Sequence, residues 1–448
     1  MDYIVTSPCG PVKGCPGTVA GTIAYKGIRY ATAGRWEHPK QVTGWDGIYD
    51  ATEYGNCSYQ PRAFYDEEQN KKKYFYYNEF RKGETYTYSE DCLFLNIFTP
   101  DTAQAGQKLP VLIYIHGGGF TGGCAHEKHF DMPVWSAKGI IGVTINYRLG
   151  PLGFFCLPQL AEEAGVTGNY GLYDQMTAMQ WVKDNIAAFG GDPENITIMG
   201  QSAGAMSVQQ HILSPLTAGL FQRAVMSSGG GVSKMLSAAP MEKSYPFWEA
   251  CMKKAGCENL EQFRSISAEA LFTAWQETKK EVKGGMCNPC IDGRFVVGTG
   301  ADLLASGKYQ KVPCMAGSTS HDMMPPILLS MAKSWCAAQE KNSYTWFFDR
   351  NLPGDNHGAW HSSDLWYWFG TLANCWRPME KKDYDLSELM VSYLCNFVRS
   401  GDPNGDSLPR WDKTGRQVMM FGEKPAKMGN PSTAKLVYTM LTNKAVGE

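Results

Sequence analysis

No run of about 18 apolar residues occurs anywhere in this 448-residue chain, so no membrane-crossing helix is expected. Met1-Asp2-Tyr3 has neither the basic start nor the apolar core of a secretory leader, and a cytoplasmic location is expected. Lys and Arg (42) nearly balance Asp and Glu (44), for a net charge of −2. With no basic stripe, nucleic acid is not expected as a partner. No repeat, linker or break in composition divides the sequence, and residues 1–448 are expected to form one domain even though the length would allow about three. Metal-ligand patterns are sparse. Cys287-Asn288-Pro289-Cys290 is a CxxC without a second pair or a ligand histidine at metal spacing. His126 and His129 resemble a helical ligand pair only superficially and read as a solvated loop. Neither a metal nor a cofactor is expected.

Against these absences stands Gly-Gln-Ser-Ala-Gly at 200–204, between the apolar run Ile196–Met199 and a helix-like stretch. A strand feeding a Gly-flanked turn into a helix lifts one serine clear of the backbone, where its hydroxyl can attack a carbonyl. Side chains at either glycine would collide with so tight a turn. Ser202 is therefore the candidate nucleophile. A serine also needs a base to take its proton and donors to receive the charge that develops on the substrate oxygen. His116-Gly117-Gly118-Gly119-Phe120 follows the strand-like run Val111–Ile115, and its glycines leave bare N–H groups. Gly118 and Gly119, with Ala203 after the serine, are the expected oxyanion hole. Strand-like runs at Val111–Ile115, Ile140–Ile145, Ile196–Met199, Arg223–Ser227 and Val312–Ala316 alternate with helical stretches, as a largely parallel sheet demands. One helix is predicted over Asp174–Phe189, with Ala178, Met179, Trp181, Val182 and Ile186 on one face and Gly190-Gly191 ending it.

The flanking motifs resemble those of the carboxylesterase type-B (cholinesterase-like) family, as in a short bacterial-type member. They are Glu90-Asp91-Cys92-Leu93-Phe94-Leu95-Asn96-Ile97, Gly168-Asn169-Tyr170-Gly171-Leu172-Tyr173-Asp174-Gln175, Phe189-Gly190-Gly191-Asp192-Pro193, and Phe397-Val398-Arg399-Ser400-Gly401-Asp402-Pro403-Asn404-Gly405. The similarity runs from near Tyr25 to about Trp411. It implies an α/β-hydrolase fold: a mostly parallel central sheet, helices on both faces, and inserted helical or loop cap segments. It also implies action on carboxylic esters. Cys57 and Cys92 match the family's usual N-terminal disulfide positions and would stay thiols in a reducing cytoplasm. The other cysteines, of fourteen in all, read as small buried residues.

The remaining triad members are expected after the serine, in the order acid then histidine. Of eight histidines, only His321, His357 and His361 lie in the last third. The family's Gly-x-x-His segment is matched by Gly358-Ala359-Trp360-His361, with an acidic residue three positions on. His361 is the expected base and His357 the runner-up. The family's Gly-x-x-x-Asp-Glu-Gly is represented by Gly317-Ser318-Thr319-Ser320-His321-Asp322-Met323, which places Asp322 where the family has Glu. Aspartate is one methylene shorter, so its loop must sit nearer the imidazole. Asp364 is the competing acid, expected to buttress the loop instead.

About 40 positions separate Asp322 from His361, fewer than is usual in the family, which implies a pocket more open than usual or covered by a partner subunit. Tyr74-Phe75-Tyr76-Tyr77-Asn78-Glu79-Phe80-Arg81 and Tyr86-Thr87-Tyr88 suggest an aromatic wall, and Trp360, Trp366 and Tyr88 are expected to line the substrate site. The reading is a serine carboxylic ester hydrolase for small to medium or aromatic esters, working through an acyl-enzyme as monomer or homodimer. The alternatives are an amidase or peptidase with the same triad, and a non-catalytic cholinesterase-like binding module.

Overall fold

The computed structural model describes residues 3–233 and 237–442, so Met1, Asp2 and the last six residues of the expected 1–448 unit lie outside them. A sheet of thirteen strands runs through the molecule. In chain order they are β1 (Tyr3–Ser7), β2 (Gly10–Pro16), β3 (Thr22–Arg29), β4 (Tyr49–Asp50), β5 (Phe94–Pro100), β6 (Leu109–Ile115), β7 (Ile141–Ile145), β8 (Gly191–Gln201), β9 (Arg223–Ser227), β10 (Cys314–Thr319), β11 (Ser343–Asp349), β12 (Val418–Gly422) and β13 (Lys427–Gly429). Their spatial order is β1-β2-β3-β5-β7-β6-β8-β9-β10-β11-β12-β13, with β4 beside β2. Strands β7 to β12 pair in parallel, and antiparallel strands close both margins.

Alternation along β6 separates the two faces. Val111, Ile113 and Ile115 join one buried cluster with Trp181 and Val182 of helix α2 (Tyr170–Asn185) and Val208 and Ile212 of α3 (Ala203–Leu213). Leu112 and Tyr114 join a second cluster with Trp366 of α5 (Leu365–Phe369) and Met390 and Leu394 of α6 (Lys381–Ser400). Two more helices, α1 (Tyr74–Phe80) and α4 (Ala268–Glu281), lie over the carboxyl ends of the strands. Both sheet faces are thus covered, as a parallel sheet requires.

Elements differ from the sequence expectation mainly at their ends. Helix α2 starts at Tyr170 and is α-helical only to Asn185, after which Ile186–Phe189 tightens into a 3₁₀ turn closed by Gly190 at φ 89°. All five expected face residues are buried. Strand β8 takes in the polar residues 192–195 because its register with β6 jumps from Leu109–Gly191 to Val111–Ile196, leaving the surplus residues as a bulge. Strand β10 extends through Ser318 and Thr319, which pair with Phe347 and Phe348 of β11. That extension carries the chain toward the end of β8.

Strand β6 connects to β7 on one side, whereas β8 connects to β9 on the other. The carboxyl ends of β6 and β8 therefore flank a topological switch point, where ligands bind in open parallel sheets.

Candidate active site

Ser202 occupies the turn between β8 and α3 at φ 56°, ψ −123°. This conformation is rare for a residue with a side chain. The chain packs tightly around it. A Cβ on Gly200 would lie 2.3 Å from Gly204 backbone, and one on Gly204 would lie 2.0 Å from the Ile115 carbonyl oxygen. The Ser202 N–H is tied to the Ser227 carbonyl of β9 at 2.9 Å, so the strained residue is held by the sheet itself. Ala203 begins α3 directly after it.

Residues 116–123 leave β6 and curl against this turn. Gly118 has φ 106° and Gly119 φ 62°. A Cβ on Gly118 would meet the Gly122 carbonyl oxygen at 2.1 Å, and one on Gly117 would meet the Gln201 oxygen at 2.5 Å. The loop closes on itself when the Thr121 and Gly122 N–H groups donate to the Gly118 carbonyl at 3.1 and 3.0 Å. Gly118 and Gly119 are exposed, and among the described residues no acceptor takes their N–H groups. These donors are therefore available to a ligand oxygen.

A β-bridge between His321 and Trp360 draws the loop after β10 to the loop before α5. The His321 N–H donates to the Ala359 carbonyl at 3.0 Å, and the Ala359 N–H donates to His321 Nδ1 at 3.3 Å. Gly358 permits the approach, since its Cβ would strike His321 Cε1 at 2.5 Å. The next residue on each loop then meets its counterpart: His361 Nδ1 lies 2.6 Å from Asp322 Oδ1. This is how an aspartate, shorter than the family's glutamate, reaches the ring. Asp322 is fully buried and also accepts from the Met323 N–H at 2.9 Å and the Thr319 hydroxyl at 3.2 Å. Burial pushes its carboxyl up, but the His361 charge and hydrogen bond outweigh burial and hold it below the ordinary range. Burial pulls the His361 ring down, yet the Asp322 carboxylate, with help from Asp364, leaves it above its ordinary value.

Asp364 is not the partner of this ring. It accepts from the Ser227 hydroxyl at 2.7 Å and from Trp368 Nε1 at 3.2 Å, and burial pushes its carboxyl up to about 6. It ties the start of α5 to β9, as a buttress would. His357 pairs with Asp355 at 3.0 Å on the surface. A contact the sequence did not suggest is that of the Gln201 amide with His361 Nε2 at 3.1 Å. Gln201 precedes the serine and is buried; only its place inside the pentapeptide hinted at such a role. Among the described residues, no hydrogen bond joins Ser202 to His361, and such bonds often form only with substrate present.

Ser202, His361 and the glycine loop open on one cavity of about 840 Å³. Tyr76 and Phe80 of α1 and Trp275 of α4 form its apolar walls, and Lys73, Lys279 and Lys280 edge it. Cover comes from residues of this same chain, including Tyr65 and Arg81. Three expected lining residues are elsewhere. Trp360 and Trp366 are wholly buried because bulky rings behind a thin wall pack better than they line it. Phe75 and Tyr76 stand edge-on against Trp360 at 5.1 and 5.7 Å. Tyr88 pairs with Cys57 in a short two-stranded ladder outside the lining. His129 is no solvated loop residue either: it is buried, its ring 3.7 Å from that of Phe80. A buried ion network links cover to glycine loop, with Arg62 donating to Glu127 at 2.6 Å and Arg81 donating to Glu67 at 2.8 Å and to Glu127 at 3.3 Å. Burial raises Glu127, but the two guanidinium groups bring it down to about 2. All fourteen cysteines, Cys57 and Cys92 included, are free thiols.

The carboxylesterase family profile matches residues 1–345 and 326–438. The para-nitrobenzyl esterase of Bacillus subtilis (strain 168) is 35% identical over 498 residues, covering 96% of this chain and 97% of that one. A solved PNB esterase superposes with a TM-score of 0.84 at 26% identity, covering 98% of this chain and 99% of its own. An esterase from anaerobic Clostridium hathewayi, described as able to hydrolyse aliphatic aromatic polyesters, superposes with a TM-score of 0.83 at 25% identity, each chain covered to 99%. The sheet with its switch-point serine is the α/β-hydrolase fold, and among the described residues no helix is long and apolar enough to cross a membrane. With the family profile spanning nearly the whole chain, the protein belongs to the carboxylesterase family and is a carboxylic ester hydrolase.

Proposed function

We propose that Ser202 is the nucleophile, His361 its base and Asp322 the acid that orients the base, with the N–H groups of Gly118, Gly119 and Ala203 as oxyanion hole. The observation that carries this reading is the 2.6 Å His361–Asp322 contact, set beside a strained serine on a shared cavity. Asp322 fixes the proton on Nδ1 and leaves Nε2 as the acceptor. When an ester enters, His361 Nε2 trades the Gln201 amide for the Ser202 hydroxyl and takes its proton as Oγ attacks the carbonyl. The oxyanion collapses to the acyl-enzyme as the imidazolium protonates the leaving alcohol, and water repeats the cycle. Each step is supplied by this chain's own residues.

The substrates we infer are small to medium or aromatic carboxylic esters. A cavity of about 840 Å³ falls within the range for drug-sized ligands, and Tyr76, Phe80 and Trp275 offer flat apolar walls. The relatives named for a nitrobenzyl ester and for aliphatic aromatic polyesters support the aromatic end of that range. We read the chain as a single catalytic unit acting in the cytoplasm, a compartment in which fourteen free thiols persist.

Ser202→Ala tests the assignment. It should lower turnover by roughly 10⁶-fold while leaving the fold intact, and an organophosphate should label Ser202 in the unmodified protein. Labelling at another serine, or turnover by the alanine variant within tenfold of the parent, would overturn it.

A further inference from the structure

Behind the glycine loop, Cys57, Cys124 and His126 converge from two separate segments. One ligand atom from each lies within 4.8 Å of the other two, and Cys57 Sγ is 3.9 Å from His126 Nε2. Both cysteines are buried. The imidazole lies flat on Tyr54 with ring centroids 4.4 Å apart and planes inclined by 7°, and Tyr86 flanks it at 5.3 Å. His126 Nδ1 and the Tyr86 hydroxyl are both buried without a hydrogen-bond partner. Orphaned polar atoms of this kind carry an uncompensated desolvation cost. Two thiols and one imidazole, gathered within reach of one another in a buried pocket of aromatic rings, make a good ligand set.

We propose that Cys57, Cys124 and His126 bind a divalent cation of the zinc class. Thiolate and imidazole are the donors such ions favour. Bond lengths of about 2.3 Å to sulfur and 2.0–2.1 Å to nitrogen place ligand atoms roughly 3.5–3.8 Å apart at tetrahedral angles. The 3.9 Å contact is already near that spacing, and side-chain adjustments below an ångström bring in the rest. Binding releases one proton from each thiol to solvent. The dication with two thiolates is then neutral, as a buried site requires. Three protein donors leave a fourth position to water or the Tyr86 hydroxyl.

The site would act on the loop it holds. Cys124 and His126 continue directly from the glycine loop, whereas Cys57 belongs to the short ladder with Tyr88. A bound ion cross-links the two and steadies the loop bearing Gly118 and Gly119 without entering the cavity.

The test uses the full chain, stripped with chelator under reductant and dialysed. Equilibrium dialysis with zinc should give one ion per chain, and cobalt should give a thiolate charge-transfer band in the near ultraviolet. Zinc should also raise the melting temperature. Cys124→Ser should abolish the cobalt band, and His126→Ala should weaken zinc binding at least as much as the roughly 10–100-fold typical of lost outer-shell partners. Cys290→Ser, whose thiol lies 3.7 Å from that of Cys156 elsewhere in the core, should leave the stoichiometry at one. Should Cys124→Ser fail to fold, which its circular dichroism would show, His126→Ala decides. No zinc retained by the parent, or equal retention by parent and His126→Ala, overturns the proposal. So does a Cys57–Cys124 disulfide in the protein purified without reductant, since it would assign the pair to a cross-link.

Discussion

At the scale of single residues, the proton inventory of His361 is set from both ring nitrogens. Asp322 on Nδ1 raises its affinity for a proton against the opposing effect of burial, and Gln201 on Nε2 adds a neutral amide. Because the base we propose must be unprotonated to act, kcat/KM should rise with pH along a limb lying above the ordinary imidazole value of about 6.5. Asp322→Asn removes the charge and leaves burial dominant, so the limb should move to lower pH while turnover falls by roughly 10⁴-fold. Gln201→Glu should do the reverse, its carboxylate stabilising the imidazolium and moving the limb upward. pH profiles of kcat/KM for the three proteins check both signs. A limb that stays in place in Asp322→Asn would mean that Asp322 does not face the catalytic ring. That Ser202, His361 and Asp322 come together was readable from sequence, because each lies in a motif whose spacing is fixed by a strand end. Gln201 was not, since a glutamine beside a nucleophile carries no pattern of its own.

Elements position those residues through buried links, among them the Arg62–Glu127–Arg81 network that joins the cover to the segment after the glycine loop. Glu127→Gln leaves two buried guanidinium groups short of their shared carboxylate. Breaking a buried pair from one side costs about 3–5 kcal/mol, so the denaturant midpoint should fall accordingly. Because Arg62 and Arg81 line the cavity, KM should rise more than kcat falls. Urea unfolding and steady-state kinetics on one preparation measure both, and an unchanged midpoint would show the network to be idle. The parallel strands β6 to β10 and helix α2 were legible as apolar runs bounded by glycine. The margin of β1, β2, β3 and β5 was not legible as strands: β1 and β2 alternate with exposed residues, and the buried β3 and β5 are broken by polar residues such as Lys26, Asn96 and Thr99 that interrupt an apolar run. The end of β10 was missed because Ser318 and Thr319, both buried, look like turn residues until β11 is there to pair with them.

For the whole molecule, the question is how far the cavity admits bulky groups. The wall of Tyr76, Phe80 and Trp275 suits flat acyl or alcohol moieties, and its open edge carries lysines. Specificity constants for acetyl, butyryl, octanoyl and cinnamoyl esters of one alcohol should therefore vary gently, with cinnamoyl turnover readily measured. A steep preference for acetyl with no cinnamoyl turnover would mean a closed small pocket. The aromatic wall expected from sequence is present in Tyr76 and Phe80 but not in Trp360, Trp366 or Tyr88, none of which lines the cavity. Trp360 and Trp366 stand next to His361 in the chain, and proximity along the chain does not tell a wall from its footing. The contribution of α4 was invisible, since nothing local links residues 275–280 to a serine at 202.

The short stretch from Asp322 to His361 holds only a helix, Pro325–Ala338, the strand β11, and a return loop to the bridge at Trp360. The crossover from β10 to β11 is thus a single helix with short connections, as a parallel pair requires. Asp322 and His361 are thereby fastened beside neighbouring strand ends, and the return loop between Asp349 and Gly358 lies outside the bridge that fixes their distance. In evolutionary terms this loop is an insertion port. Extra chain added there would emerge beside α1, since His357 packs against Phe75 with ring centroids 4.9 Å apart, while the bridge keeps Asp322 and His361 in contact, so chain can be gained, lost or exchanged without disturbing that contact.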